Sequence, residues 1–238
     1  MQDLSIFTSM NRIYILLFMI LAAKANLQAQ SNGYGVRVGS GFSTQRWQGG
    51  SGRNPLLTYH ADYYMDSESE KGNILYLALG YHLRGSSIYI NRFVDQFGNV
   101  YSGSNFAMKF HNAVLELGAK KAKTVNNWRL IYGLGIRGEY TFKHKLEIYQ
   151  GYEDFIKKFN YGFTLLGAAE TRINKFAALG FEARICPDAS RQVYVPAAIP
   201  IYDPFTGGVR PGVEQSIRNL SVEVGVYIRL IQIIQYIE

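Results

Sequence analysis

Apolar and polar positions alternate with a period of two along most of this chain. The clearest case is WRLIYGLGIRGEYTF, Trp128 to Phe142, where Trp128, Leu130, Tyr132, Leu134, Ile136, Tyr140 and Phe142 share one face. Arg129, Gly133, Gly135, Arg137 and Glu139 share the other. Successive side chains of a strand point to opposite sides, so this segment predicts a strand with one apolar face and one face of glycine and opposite charges. At about fifteen residues it is far longer than the five or six usual in soluble domains.

Seven further segments repeat the pattern. Tyr34 to Thr44 sets Tyr34, Val36, Val38 and Phe42 against Gly35, Arg37, Gly39 and Gly41. Leu57 to Met65 alternates apolar residues with Thr58, His60, Asp62 and Tyr64, and the acidic turn Asp66 to Gly72 follows. Leu75 to Leu83 opposes leucines and Tyr81 to Tyr76, Ala78, Gly80, His82 and Arg84, and runs on towards Ile90. Beyond a polar loop at Asp95 to Asn105, Ala113 to Ala119 faces away from Asn112, Glu116 and Gly118, and the turn Lys121 to Asn127 leads into Trp128.

The segment after Phe142 to about Lys158 reads as a loop with extended ends. Tyr161 to Arg172 is less regular, because Leu166 falls on the face of Gly162, Thr164, Glu170 and Arg172. A tight turn at Asn174-Lys175 gives way to Ala177 to Ile185, with Gly180, Glu182 and Arg184 on its polar face. Pro187 to about Ser216, with five of the six prolines, reads as irregular, and Asn219 to Arg229 is the last strand, with Glu223 on its polar face. The tail Ile231 to Glu238 has no turn before it and reads as an extension of that strand.

Long connections follow the first, third, fifth and seventh strands, and short ones follow the second, fourth and sixth. Outer-membrane barrels have long outside loops, short periplasmic turns and an even strand number. In lipid only a helix or a closed barrel pairs every backbone group, and no apolar run of about twenty residues offers a helix. The expected fold is therefore all-β: an eight-stranded antiparallel transmembrane barrel over residues 30–238. A soluble barrel with its apolar face turned inward would show the same period. The polar faces argue against it, because their carboxylates and arginines interleaved with glycine suit a narrow interior where charges pair. These positions are Arg37, Asp62, Glu116, Arg137, Glu139, Glu170, Arg172, Glu182, Arg184 and Glu223, a structural charge network that would plug the lumen.

Composition adds a location. Arg12, the apolar run Ile13 to Ala23 and the small-residue site Leu27-Gln28-Ala29 read as a signal peptide over residues 1–29. The net charge of +7 fits anionic lipid head groups better than nucleic acid, which an exported protein rarely meets. The single Cys186 has no internal partner and reads as a free structural thiol.

LALGYHLRGSSIYI, FAMKFHNAVLELGAKKA, NWRLIYGLGIRGEYTF and the terminal NLSVEVGVYIRL resemble the PorT-like outer-membrane β-barrel family. The likeness rests on Arg84-Gly85, on Phe110-His111-Asn112 and on Gly133 to Gly135. It implies the outer-membrane location, a structural or partner-binding role without cofactor or catalytic site, and an accessory place in protein secretion. The expected contacts are outer-membrane lipid and a protein partner met through the extracellular loops or periplasmic turns.

Other chemistry is weaker. GLGIRG, Gly133 to Gly138, spells a dinucleotide fingerprint, but alternation continues through it where that motif needs a strand turning into a helix. His60, His82, His111 and His144 lack the short spacing of a metal pair. A lipid-acting enzyme would need a serine, a histidine and an acid near the outer rim, where only His144 stands in a basic setting. A narrow passive channel through the charged lumen is the remaining alternative.

Overall fold

The computed structural model describes residues 29–48, 52–94, 98–147, 150–197, 200–202, 206–211 and 214–233. The proposed signal peptide lies outside the described residues, Ala29 apart. Seven long strands follow in order: β1 (Ala29–Gln48), β2 (Leu56–Ser69), β3 (Asn73–Val94), β4 (Val100–Val125), β5 (Trp128–Leu146), β6 (Phe159–Arg172) and β7 (Ala177–Pro187). Three short ones, β8 (Val193–Val195), β9 (Pro200–Tyr202) and β10 (Val209–Pro211), precede the last long strand, β11 (Gln215–Ile233). Each long strand pairs antiparallel with its neighbour, and β11 pairs with both β7 and β1, so eight strands close a ring.

The chain is inside-out relative to a soluble barrel. Val36, Val38, Phe42, Leu57, Leu134, Ile136, Phe163, Leu165, Phe181, Val222 and Val226 are exposed on the outer wall, while Arg37, His82, Arg84, Glu116, Arg137 and Glu139 are buried within. Monomers in water seldom expose an apolar surface beyond a few hundred Å², whereas lipid requires one. From Leu130 to Tyr140, at about 3.3 Å per residue and about 40° of tilt, the rise is about 25 Å, the height of the apolar band of such barrels.

Several boundaries differ from the periodicity. β3 and β4 pair from Asn73↔Lys121 to Val94↔Val100, so the predicted loop Asp95 to Asn105 is largely strand and the turn before Trp128 shrinks to Asn126-Asn127. Asn126 takes a φ of 54°, a left-handed conformation that asparagine tolerates and that so tight a reversal needs. Asp66 falls inside β2 rather than in a turn. The segment before Lys158 holds a 3-10 helix, Gln150–Phe155, and the proline-rich stretch is not wholly irregular. There β8 adds to β11 through Gln215↔Val195 and Ile217↔Val193, and β9 pairs with β10.

These additions close the long-loop end. Met108 and Phe110 of β4, Leu146 of β5, Val193 and Val195 of β8, Ile217 of β11 and Tyr152 of the 3-10 helix form one buried apolar cluster, with Trp47, Phe155 and Ile156 packed against it. Among the described residues this cap is the largest buried apolar cluster, and it sits above a lumen made of charge.

Candidate functional site

The lumen is built in layers. Directly under the cap lies a relay of neutral groups: Ser86 Oγ donates to Gln45 Oε1 at 2.7 Å, and Gln45 Nε2 to Asn219 Oδ1 at 2.9 Å. Asn219 Nδ2 donates to Gln192 Oε1 at 3.2 Å, Gln192 Nε2 to Thr141 Oγ1 at 3.1 Å, and Thr141 Oγ1 to Asn112 Oδ1 at 2.8 Å. Asn112 Nδ2 then donates to Glu139 Oε2 at 2.6 Å and joins the relay to the charges below.

The middle layer holds Arg37, Arg84, Arg137 and Arg184, each at most 2% exposed. Arg37 bonds Asp62 at 3.0 Å and Glu182 at 2.8 Å. Arg84 forms an ion pair with Glu223 at 2.6 Å and lies 3.3 Å from Glu139, which also pairs with Arg137. Arg137 reaches Asp188 at 2.5 Å. Arg184 pairs with Glu116 and lies 3.5 Å from both Glu182 and Glu223. Glu116 further accepts Tyr76 Oη and Thr164 Oγ1, each at 2.7 Å.

His60 and His82 face each other in register, with ring centroids 5.2 Å apart and planes 22° from parallel. His82 bridges Asp62 at 2.8 Å and Glu223 at 3.4 Å. Neither ring nitrogen of buried His60 makes a hydrogen bond; its Nδ1 stands 3.8 Å from Glu223. Among the described residues no group of three or more histidine, cysteine, aspartate or glutamate side chains is arranged to hold a metal ion. Cys186 is fully buried, with its thiol 3.8 Å from Glu223 and 3.9 Å from Thr164.

The layer at the short-turn end is a second ionic cluster. Arg229 bonds Asp66 at 2.7 Å and Glu68 at 3.2 Å, and Arg129 bonds Glu170 at 2.9 Å. The recess between them, lined by Lys120, Tyr64 and Tyr227 as well, has room for about one water molecule.

Of the ten charges expected inside, Arg37, Asp62, Glu116, Arg137, Glu139, Glu170, Glu182, Arg184 and Glu223 are buried in the lumen. Arg172 is exposed instead, because it is the last residue of β6 and stands at the rim. Leu166, the apparent irregularity of that strand, is buried on the inner face. Not counted among the ten were Arg84, Asp66 and Arg229, although Arg84 and Arg229 lie at alternating positions on faces already read as polar. Asp188 had no such signal, being placed by the bend beyond Pro187, where its N–H bonds Asn219 O at 2.9 Å.

The glycines of the inner faces make room for rings. Tyr76 lies directly opposite Gly118, and Tyr227 opposite Gly180, and a Cβ at Gly118, Gly135 or Gly180 would collide with one of these rings. We expect Gly180→Val to displace Tyr227 from Glu170, which it now bonds at 3.2 Å, and to cost about 1–3 kcal/mol. Gly167→Ala, where an added Cβ would meet nothing within 4 Å, should stay within about 0.5 kcal/mol; urea unfolding in lipid vesicles measures both. Gly133 to Gly138 lies wholly within β5 and opens no helix, so the fingerprint there is a glycine row. Gly85, which follows Arg84, has a φ of 148°, and its N–H is met by Ser43 Oγ at 3.1 Å.

The crystal structure of the outer membrane protein OprG from Pseudomonas aeruginosa is similar, with a TM-score of 0.50 and 10% identity over 85% of this chain and 97% of that one. The fold is that of an outer-membrane β-barrel. Neisserial surface protein A matches at a TM-score of 0.42 and 8% identity over 83% and 96% of the two chains. The outer membrane protease OmpT from Escherichia coli matches at 0.41 and 8% over 87% and 98%. No family model matches the chain, and no curated protein matches it. Apolar wall and closed ring place this chain in the outer membrane, where such barrels reside.

Proposed function

We propose that this outer-membrane barrel is a closed, non-catalytic component that works by binding a protein partner, as an accessory to protein secretion. The observation that carries the reading is the doubly sealed lumen: interlocked arginine and carboxylate layers below and an apolar cap above. An eight-stranded barrel has an interior that side chains fill, and here the arginines and carboxylates of that interior are ion-paired with one another. What is left for function is the surface beyond the bilayer, where β9 and β10 form a hairpin of their own apart from the barrel sheet. Secretion enters from the PorT-like motifs, in which Arg84 supplies a central ion pair and Gly85 a positive-φ position within β3. An enzyme reading would need a serine and an acid brought to His144, which is exposed at the rim.

Two measurements test this. Gentle detergent extraction from the native membrane should give a complex larger than the barrel itself, and planar bilayers should show no conductance from the purified protein. Stable single-channel steps would replace the reading with a narrow channel. A lone barrel under every extraction condition would remove the partner.

A further inference from the structure

The outer wall carries a basic site whose geometry depends on one irregularity in the β4–β5 ladder. The register runs regularly to Asn112↔Thr141 and resumes at His111↔Lys143, leaving Phe142 as the extra residue. Below this bulge Arg137, Glu139 and Thr141 of β5 are buried in the lumen. Above it the parity reverses. Leu146 turns in to join Met108 in the cap, while Lys143 and Lys145 turn out beside His111 and Lys109. A bulge adds one residue and re-aims those that follow; without it both lysines would point into the cap.

The result sets two like charges directly across from one another, Lys109↔Lys145, and places Lys143 across from His111. Like-charge pairs are destabilising in isolation. Among the described residues Lys145 has one acidic neighbour, Glu147 at 3.2 Å. The other oxygen of Glu147 accepts the N–H of Ala107 at 2.8 Å, and this bond, with Lys145, holds its pKa below the usual carboxylate range. Lys109 and Lys143 make no ion pair within 4 Å among the described residues, although Lys109 stands near enough to Glu147 to help hold its carboxyl down.

Aromatic rings fix the depth of the site. Tyr81 Oη lies 2.6 Å from His111 Nδ1, and Phe142 sits 6.1 Å from the Tyr81 ring and 6.4 Å from that of His111. Tyr59 stands 5.8 Å from Tyr81 and continues the row. Such rings settle at the level of the head groups, here at the long-loop end, which faces outward in these barrels. When the Tyr81 hydroxyl donates across this contact, His111 carries its proton on Nε2, which is then free to donate. We propose that Lys109, His111, Lys143 and Lys145 form a binding site on the barrel wall for the phosphate of a phosphorylated glycolipid head group in the outer leaflet. The position on the wall, continuous with the aromatic row, favours a lipid-borne phosphate over a dissolved one.

The proposal does not depend on whether the barrel has a protein partner or conducts. Native mass spectrometry of the full barrel in non-ionic detergent, with diphosphorylated lipid A as the probe, tests it. Removing the phosphates from the lipid, or introducing Lys109→Gln, Lys143→Gln and Lys145→Gln together, should each weaken binding by about tenfold or more. The triple arginine variant should retain it. Equal binding of phosphorylated and dephosphorylated lipid would overturn the site, and that comparison needs only the unaltered protein should the glutamine variant fail to fold. Unchanged binding by a folded glutamine variant would also overturn it. Displacement of the lipid by millimolar inorganic phosphate would identify a simple anion site and overturn the head-group assignment.

Discussion

Arg184→Ala is expected to destabilise the folded barrel by about 3–5 kcal/mol, the cost of leaving buried charges without their partner. Arg184 is 2% exposed and stands within ion-pair reach of Glu116, Glu182, Asp62 and Glu223. Its removal leaves carboxylates from four different strands facing one another across a lumen that gives water little room. Adding Glu116→Gln to Arg184→Ala should restore part of the loss, because it removes one of the charges left unpaired. Unfolding in lipid vesicles, followed by tryptophan emission and by heat-dependent gel mobility, gives the free energies for a double-mutant cycle. A loss below about 1 kcal/mol would mean that the lumen is wet enough to screen these charges as a surface does.

Leu134→Arg should fail to assemble in the membrane or lose about 2–4 kcal/mol, the depth-dependent cost of a cation at the midplane of a barrel's lipid face. Leu134 is 61% exposed and lies near the centre of the outward apolar run of β5. It pairs with Ala119 on one side and Leu165 on the other, which offer an arginine no acidic partner. Phe142→Arg, at the aromatic rim of the same strand, should cost only about 0–1 kcal/mol, because a charge there reaches head groups and water. Heat-dependent mobility on gels reports assembly in both variants. Equal tolerance at the two positions would show that β5 does not cross the bilayer between them.

Most of the barrel was legible because its physics repeats every two residues. Lipid on one side and a charged lumen on the other force alternation, so Leu134 and Arg137 declare their faces without knowledge of any neighbour. The glycines carried the same message once the tyrosines opposite them were known. Boundaries were less legible: β3 and β4 continue into water beyond the bilayer, where nothing demands an apolar face, and Gly103 to Asn105 lie in strand while looking like a turn. The cap was invisible for a related reason. Tyr152 and Val193 come from a short helix and a short strand with no period to detect, Ile217 lies at the start of β11 before its alternating run, and they meet only after the barrel has brought their ends together.

The sequence by itself determined the strand number, the closed antiparallel architecture, the two faces of each strand and the charged character of the lumen, because these follow from local alternation and connection length. Only the tertiary structure decided which carboxylate each arginine meets, that Asp188 enters the network from beyond a strand end, that Arg172 stays at the rim, and that a single bulge turns Lys143 and Lys145 outward. Those outcomes depend on register between strands and on chain paths beyond them. Register is set by how the whole ring closes, and no single strand carries it.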